Sequence, residues 1–121
     1  RDRTGTSDPM HIQRGSEVPW QGVTHNPEIR KRVFVGNGVV PKLTNFSQSV
    51  FTPGQRCEPH AHRDMFEVYL VEGGCGVLVI DGVEVELSEG DSAVVEPGEN
   101  HSMQNRSENE DLRLIYFGIE L

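Results

Sequence analysis

The sequence predicts an all-β domain, a sandwich or barrel of short strands. Apolar and β-branched runs recur along the chain, and turn signals separate them about every ten residues. No segment shows the 3.6-residue periodicity of an amphipathic helix. The 121 residues suffice for one domain with its own core and not comfortably for two. We therefore expect about eight or nine strands in a single domain.

The start of the chain is polar and irregular. We expect residues 1–9 to be a leader ahead of a native start at Met10, or a disordered arm, with a processed precursor as the alternative. The single domain then covers residues 10–121. Residues 11–27 are sparse in apolar side chains and predict an extended arm anchored by Val18 and Trp20.

The strands follow in order, each bounded by a turn signal. The pair Asp81-Gly82 predicts a hairpin between two of them, and strict alternation after it predicts one buried and one wet face. The run 77–80 has no polar face, so both of its sides are expected to be buried, one of them against a second sheet or another subunit. The predicted strands are 29–35, 42–52, 66–72, 77–80, 83–87, 93–95 and 112–119, with a further strand starting at His101.

Charge and cysteine content limit the partners. The formal net charge of −8 disfavours nucleic acid, and no apolar run approaches the ~20 residues that cross a bilayer. The one basic cluster, residues 30–32, is interpreted as a solvated strand edge rather than a phosphate site. Cys57 and Cys75 make no disulfide framework, so we expect two buried free thiols in a reducing compartment, the cytoplasm.

The segment CEPHAHRDMFEVY carries the chemistry. His60 and His62, two residues apart, would share one face of a strand and reach one metal ion together. Glu67 joins them only if the chain turns near Arg63-Asp64, which predicts that Glu67 lies on the next strand. Histidines at this spacing are more often exposed or hydrogen-bonded, but a carboxylate opening an apolar strand is costly unless paired or metal-bound. His101, after a Pro-Gly turn, supplies a third imidazole.

These residues resemble the two motifs of the cupin superfamily, specifically a small single-domain cupin with a conserved barrel. In the first motif, residues 54–74, the spacing of Gly54, His60, His62, Glu67 and Gly74 is met throughout. In the second, residues 90–105, Gly90, Gly98, His101 and Asn105 keep their distances, while the motif's proline is displaced from position 96, where Glu96 stands, to Pro97. The resemblance implies a double-stranded β-helix, or jelly-roll barrel, with His60, His62, Glu67 and His101 as metal ligands. Small cupins are commonly dimers, so it also implies a homodimer.

Such a ligand set suits Fe, Mn, Ni, Co or Zn as a divalent ion and leaves coordination positions free for a substrate or dioxygen. We expect a metal-dependent enzyme acting on a small molecule, a dioxygenase first and an isomerase or lyase second. A barrel that binds a sugar or organic acid without turning it over is the alternative, and a structural metal in an interaction protein is a third possibility.

Strand parity indicates which side chains surround the metal. Tyr69 shares a face with Glu67 and is a candidate for proton transfer, with barrel filling as its plain alternative. Met103 and Asn105 share a face with His101, and Asn105 either contacts the substrate or braces a turn. A role for Cys57 near the metal stays open. His11 and His25 lie outside the motifs and are expected at the surface.

Overall fold

The computed structural model describes residues 11–24 and 26–121. Over these residues the chain is almost entirely β-structure, which confirms the predicted class. The expectations for residues 1–9 and for His25 fall outside the described residues. In chain order the elements are a short 3-10 helix Gly15–Glu17 and strands β1 Gln21–Val23, β2 Asn26–Val35, β3 Leu43–Phe51, β4 Met65–Gly73, β5 Cys75–Ile80, β6 Val83–Ser88, β7 Ser92–Val95, β8 His101–Gln104 and β9 Leu112–Glu120.

The strands form two antiparallel sheets. The larger has the order β1-β2-β3-β9-β4-β7 and the smaller the order β6-β5-β8. The last strand, β9, pairs with both β3 and β4, so the end of the chain ties the two halves of the larger sheet together. This arrangement is consistent with the predicted jelly-roll barrel.

The inner face of the larger sheet supplies most of the core. Ile29, Phe51, Val71, Leu112 and Leu114 are almost wholly buried and belong to one apolar cluster. Because side chains alternate along a strand, the residues two positions away from these also face inward. The functional site is built from that inner face.

The outer face of the same sheet is also apolar. Phe46, Phe117, Val68 and Val94 lie side by side across four neighbouring strands. Phe46 and Val94 are among the exposed large apolar side chains. The chain therefore leaves an apolar row on the outside of the barrel.

One local prediction fails because of strand position. The extended arm contains strand β1, and Val18 is buried as expected. In β6 the alternating valines are exposed rather than buried, 64% for Val83 and 44% for Val85, because β6 is the edge strand of the smaller sheet. Only Leu87 of that strand reaches the core.

The basic cluster of residues 30–32 lies on β2, which pairs with β1 on one side and β3 on the other. The predicted strand edge is therefore wrong, since β1 forms the edge. Arg30 and Arg32 stack over the ring of Trp20, each 4.8 Å from its centroid, whereas Lys31 faces inward. The three basic residues thus have two different environments.

The apolar run within β5 is partly covered by the chain itself. Val77 and Leu78 are buried, and Val79 and Ile80 are half-buried. The burial of Val77 and Leu78 therefore requires no second subunit. In the part of the chain that the structure describes, no helix is long and apolar enough to span a bilayer.

Candidate metal centre

Four side chains converge at one end of the barrel interior. His60, His62, Glu67 and His101 each offer one donor atom, and these atoms all lie within 4.8 Å of one another. Glu67 Oε1 is 3.0 Å from His101 Nε2 and 3.4 Å from His62 Nε2. The four residues that the sequence singled out are thus close enough to share one ion.

Backbone hydrogen bonds bring the two motif segments together. His60 N–H donates to the His101 carbonyl at 3.0 Å, and His101 N–H donates to the His60 carbonyl at 2.8 Å. Gly98 N–H donates to the His62 carbonyl at 2.7 Å, and its φ of +86° is a conformation that glycine adopts without strain. The turn before His101 therefore holds the segment that carries His60 and His62, and His101 reaches Glu67 despite the displaced proline.

His60 and His62 do not lie on a regular strand, which corrects the expectation of two neighbouring strands. His60 makes an isolated bridge with His101, and Arg56 makes another with Gln104. Between the two bridges three residues on one side oppose two on the other, so the ladder is irregular, and Pro59 lacks a donor. The chain bends at residues 63–64, as predicted, and Glu67 lies on the strand that follows.

Carbonyl groups orient two of the imidazoles. His60 Nδ1 is 3.0 Å from the Glu58 carbonyl, and His101 Nδ1 is 3.0 Å from the Glu99 carbonyl. A carbonyl only accepts, so Nδ1 carries the proton in both rings. In a neutral ring of this tautomer Nε2 carries no proton and can bind an ion, the arrangement usual for metal-binding histidines.

The charges of the site shift its pKa values. Burial raises the pKa of Glu67, but the hydrogen bond from His101 and the nearby imidazoles outweigh it, so the pKa lies below its usual value. Burial lowers the pKa of His101, but the bonds to Glu67 and to the Glu99 carbonyl raise it more. Without an ion, both shifts favour the charged forms of Glu67 and His101, which attract each other in a buried environment.

Tyr69 contacts the carboxylate rather than open space. Its hydroxyl donates to Glu67 Oε1 at 3.3 Å, and its ring stacks on Tyr116 with centroids 5.7 Å apart. Burial, followed by the charge of Glu67, raises the pKa of Tyr69 well above its usual range. Burial likewise raises the pKa of Tyr116 to about 12. Both phenols stay protonated, so Tyr69 is suited to orienting Glu67.

Three of the four donors border a cavity of about 230 Å³ inside the barrel. His60, His62, Glu67 and Tyr69 belong to its wall, as do Met103 and Cys57. The remaining wall includes five side chains of β2, β3 and β9 that no motif identified: Lys31, Asn45, Ser49, Leu114 and Tyr116. The site is thus a small chamber with the donor cluster on one side.

The family model described as the Cupin domain matches residues 48–118. This range contains all four donors and both spaced motifs. The chain belongs to the cupin domain family. The resemblance stated from the motif spacing is thereby confirmed, including the expectation of one small cupin domain.

Two relatives of this cupin are similar in sequence or in structure. The oxalate-binding protein of Thermotoga maritima is 33% identical over 74 residues, which cover 61% of this chain and 60% of that protein. The chain therefore spans less than two thirds of that relative's length. A crystal structure described as a predicted oxalate decarboxylase of Thermotoga maritima is 25% identical, with a TM-score of 0.82, covering 91% of this chain and 99% of the other.

A further solved structure shares the cupin fold alone. An RmlC-like cupin from Shewanella frigidimarina has a TM-score of 0.76 at 22% identity, covering 93% of this chain and 92% of the other. The shared barrel extends over most of both chains, including strands that precede the matched range 48–118. Since one barrel can carry unrelated activities, this likeness gives the fold of the cupin and not its chemistry.

Asn105 braces the cupin barrel. It is 2% exposed, and its amide donates to the Phe51 carbonyl at 2.9 Å and to the Glu110 carbonyl at 2.8 Å. Its Oδ1 accepts from Ser107 N–H at 3.0 Å. It does not line the cavity, so the alternative of a turn brace is the one the structure supports.

The two cysteines of the cupin differ in burial. Cys57 is buried in the cavity wall, where its thiol donates to the Met103 carbonyl at 3.6 Å and burial raises its pKa. It therefore stays a thiol, and it is outside the donor cluster. Cys75 is exposed, which corrects the expectation that both are buried, because it lies at the outer start of β5.

Proposed function

We propose that this cupin holds one divalent transition metal through His60, His62, Glu67 and His101 and uses it to bind and convert a small organic acid. The observation that carries the proposal is the convergence of three imidazole nitrogens and one carboxylate oxygen within 4.8 Å at the wall of a small cavity. Such a donor set suits Fe, Mn, Ni, Co or Zn and not the oxygen-preferring Ca²⁺ and Mg²⁺.

The residues present fit a metal ion. Glu67 is 6% exposed and His101 is 2% exposed, so their charges are withdrawn from water and need a partner. The carbonyls of Glu58 and Glu99 fix the Nδ1 protons of His60 and His101, which directs the Nε2 atoms to the cluster. A bound divalent ion would supply Lewis-acid polarisation of a ligand oxygen, or redox chemistry if it is iron.

The ligand is small. A cavity of about 230 Å³ is below the ~300–1,000 Å³ of sites that take drug-sized molecules. The relative named an oxalate-binding protein and the structure described as a predicted oxalate decarboxylase support an organic acid as the ligand class. Oxygen donors of a carboxylate would occupy the coordination positions that the four side chains leave open.

Catalysis without a separate acid or base is compatible with this site. Tyr69 and Tyr116 both have pKa values raised far from neutrality, so neither phenol exchanges protons readily at pH 7. Oxygen-dependent cleavage at the metal needs no such group, whereas decarboxylation would take the proton that replaces carbon dioxide from water. The second candidate is a binding protein for the same acids, favoured by the name of the oxalate-binding relative.

We also propose that the protein works in a reducing compartment, the cytoplasm, since neither described cysteine is paired in a disulfide. No nucleic acid is expected as a partner because the formal net charge is −8.

Metal analysis of protein purified without chelator or nickel resin tests the proposal, with oxygen uptake and carbon dioxide release followed on oxalate and other small acids. Near-stoichiometric metal with turnover supports an enzyme, and metal with acid binding but no turnover supports the second candidate. Absence of metal, even after reconstitution with each of the five ions, overturns both.

Variants of two histidines sharpen this test. His62→Ala removes a donor and should lower metal affinity by more than the ~10–100-fold that outer-shell changes cost. His11→Ala is the matched control, because His11 is exposed and outside the donor cluster. Equal metal content in the wild type and both variants would contradict the ligand assignment.

A further inference from the structure

The side chain of Lys31 lies on the inner face of the larger sheet. It lies on β2 two residues after Ile29, which is fully buried in the core cluster, so both side chains occupy the inner face of the sheet. Lys31 is half-buried and lines the cavity that His60, His62 and Glu67 border. Arg30 and Arg32, its neighbours in sequence, face outward over Trp20. The inward position of Lys31 is therefore not shared by the rest of the basic cluster.

Lys31 and Glu67 belong to different walls of this cavity. Strands β3 and β9 separate β2 from β4 in the larger sheet. Because both residues line the same cavity, the curvature of the sheet makes their strands face each other across it. A ligand held at the donor cluster thus extends towards the wall that carries Lys31.

The ammonium group of Lys31 has no partner among the described residues. No described carboxylate lies within ion-pair distance of it, and no described group accepts a hydrogen bond from it. By contrast, the guanidinium groups of Arg32 and Arg106 are hydrogen-bonded. A lysine that is half-buried as a residue, lines a cavity and has no protein partner among the described residues is suited to an anionic ligand.

The charges of the cavity indicate the charge of that ligand. Among its described lining residues Glu67 is the sole carboxylate and Lys31 the sole ammonium or guanidinium group. With a divalent ion at the donor cluster the cavity carries a net charge of about +2, counting the imidazoles as neutral. A ligand with two negative charges balances it, whereas a neutral sugar or a monocarboxylate does not.

We propose that Lys31 binds the distal carboxylate of a small dicarboxylate whose other carboxylate is directed to the donor cluster. This inference rests on the proposed function, because it assigns the near end of the ligand to the metal. Ser49, which pairs with Lys31 across β2 and β3 and lines the same part of the wall, is available to the distal carboxylate as a hydrogen-bond donor. Lys31 thus acts as a specificity-determining residue for dianions longer than oxalate.

Calorimetric titration of the metal-loaded protein tests the proposal. Oxalate, malonate and succinate are compared with acetate, propionate and butyrate, in the wild type and in Lys31→Met, which keeps the length of the side chain and removes its charge. We expect Lys31→Met to keep full metal content and to lose about tenfold to hundredfold in affinity for malonate or succinate. Its affinity for the monocarboxylates should stay unchanged.

Two further variants complete the design. Lys31→Arg keeps the charge and should retain most of the dicarboxylate affinity, whereas Arg30→Met removes a charge from the outer face of the same strand and should change neither metal content nor affinity. Equal affinity for malonate and succinate in the wild type and a metal-loaded Lys31→Met would overturn the role of Lys31. The role of Lys31 would also be overturned if the wild type and Lys31→Met bound oxalate with the same affinity and bound no other acid. A wild type that binds no metal refutes the proposed function instead. The metal content of the wild type therefore distinguishes failure of the proposed function from failure of the role of Lys31.

Discussion

His60 and His101 exchange two backbone hydrogen bonds, so that each donates its N–H to the carbonyl of the other. The rings of the two residues lie 4.4 Å apart between centroids. Two histidines that are distant in sequence are thereby fixed to one another through the main chain, independently of any ion. We infer that the donor cluster is largely formed before metal binds, which reduces the ordering cost of binding.

Tyr69 should tune metal affinity through Glu67. Tyr69→Phe removes the hydroxyl that donates to Glu67 Oε1 while keeping the ring stacked on Tyr116. We expect about tenfold weaker metal binding, because outer-shell partners of metal ligands typically contribute at least this much. Competition with a chromophoric chelator measures it. Tyr116→Phe is the control, and equal affinities of the two variants would argue against this role.

Asn105 should contribute to stability and not to ligand binding. Asn105→Ala removes three hydrogen bonds of a buried side chain, two to carbonyls and one from Ser107 N–H. We expect a loss of about 2–4 kcal/mol in the free energy of unfolding, measured by urea denaturation of the metal-free protein. Asn109→Ala, at an exposed position of the same loop, should cost less than ~1 kcal/mol. A similar loss for both would show that Asn105 is not the brace.

The metal-free protein should be most stable in mildly acidic solution. The pKa of His101 is raised from its usual 6.5, so its contribution is complete below that pH and is lost as the pH rises through the folded value. The pKa of Glu67 is lowered from its usual 4.5, so its contribution is complete above that pH and is lost on acidification. Both contributions are present together between these two pH values.

Thermal unfolding followed by circular dichroism with a chelator present, from about pH 4 to about pH 9, measures this dependence. His101→Gln should remove the fall in melting temperature on the alkaline side, and His11→Gln should leave it unchanged. A melting temperature that is independent of pH in the wild type would contradict this attraction between Glu67 and His101.

The apolar row on the outer face of the larger sheet should be the surface through which two copies associate. Homodimer formation remains our prediction, and Phe46, Phe117, Val68 and Val94 provide a continuous apolar row for it. Val94→Lys should shift the protein to a 13.5 kDa species in sedimentation equilibrium. Val83→Lys, which changes an even more exposed valine on the other sheet, should not. Only 13.5 kDa species in the wild type would refute the dimer.

Much of the fold and all four donors were predictable from the sequence. Turn residues mark the strand ends, and the motif spacing identifies the donor residues without any knowledge of their geometry. The irregular bridge at His60 was not predictable, because a bulge depends on which residues of β8 lie opposite it. The exposure of Val83 likewise depends on the position of β6 at a sheet edge, which alternation alone does not specify.

The inward position of Lys31 had a signal in the sequence. Ile29, Lys31 and Val33 alternate with Arg30 and Arg32, so Lys31 is placed with the apolar residues and not with the arginines. The prediction treated the three basic residues as one cluster and therefore did not separate Lys31 from the two arginines. Tyr116 follows Leu112 and Leu114 at the same spacing. Both residues were missed because family motifs cover only one part of the cavity wall.

Lys31 precedes the range 48–118 that the family model matches, whereas all four donors lie within it. The part of the chain that would hold the ion and the part that would select its ligand are therefore separate stretches of sequence. Exchanging the first two strands between members of the family should transfer a preference for one acid over another while leaving metal loading as it was. Relatives with the same four donor residues can then differ in the acid that they bind while their metal-binding residues stay the same.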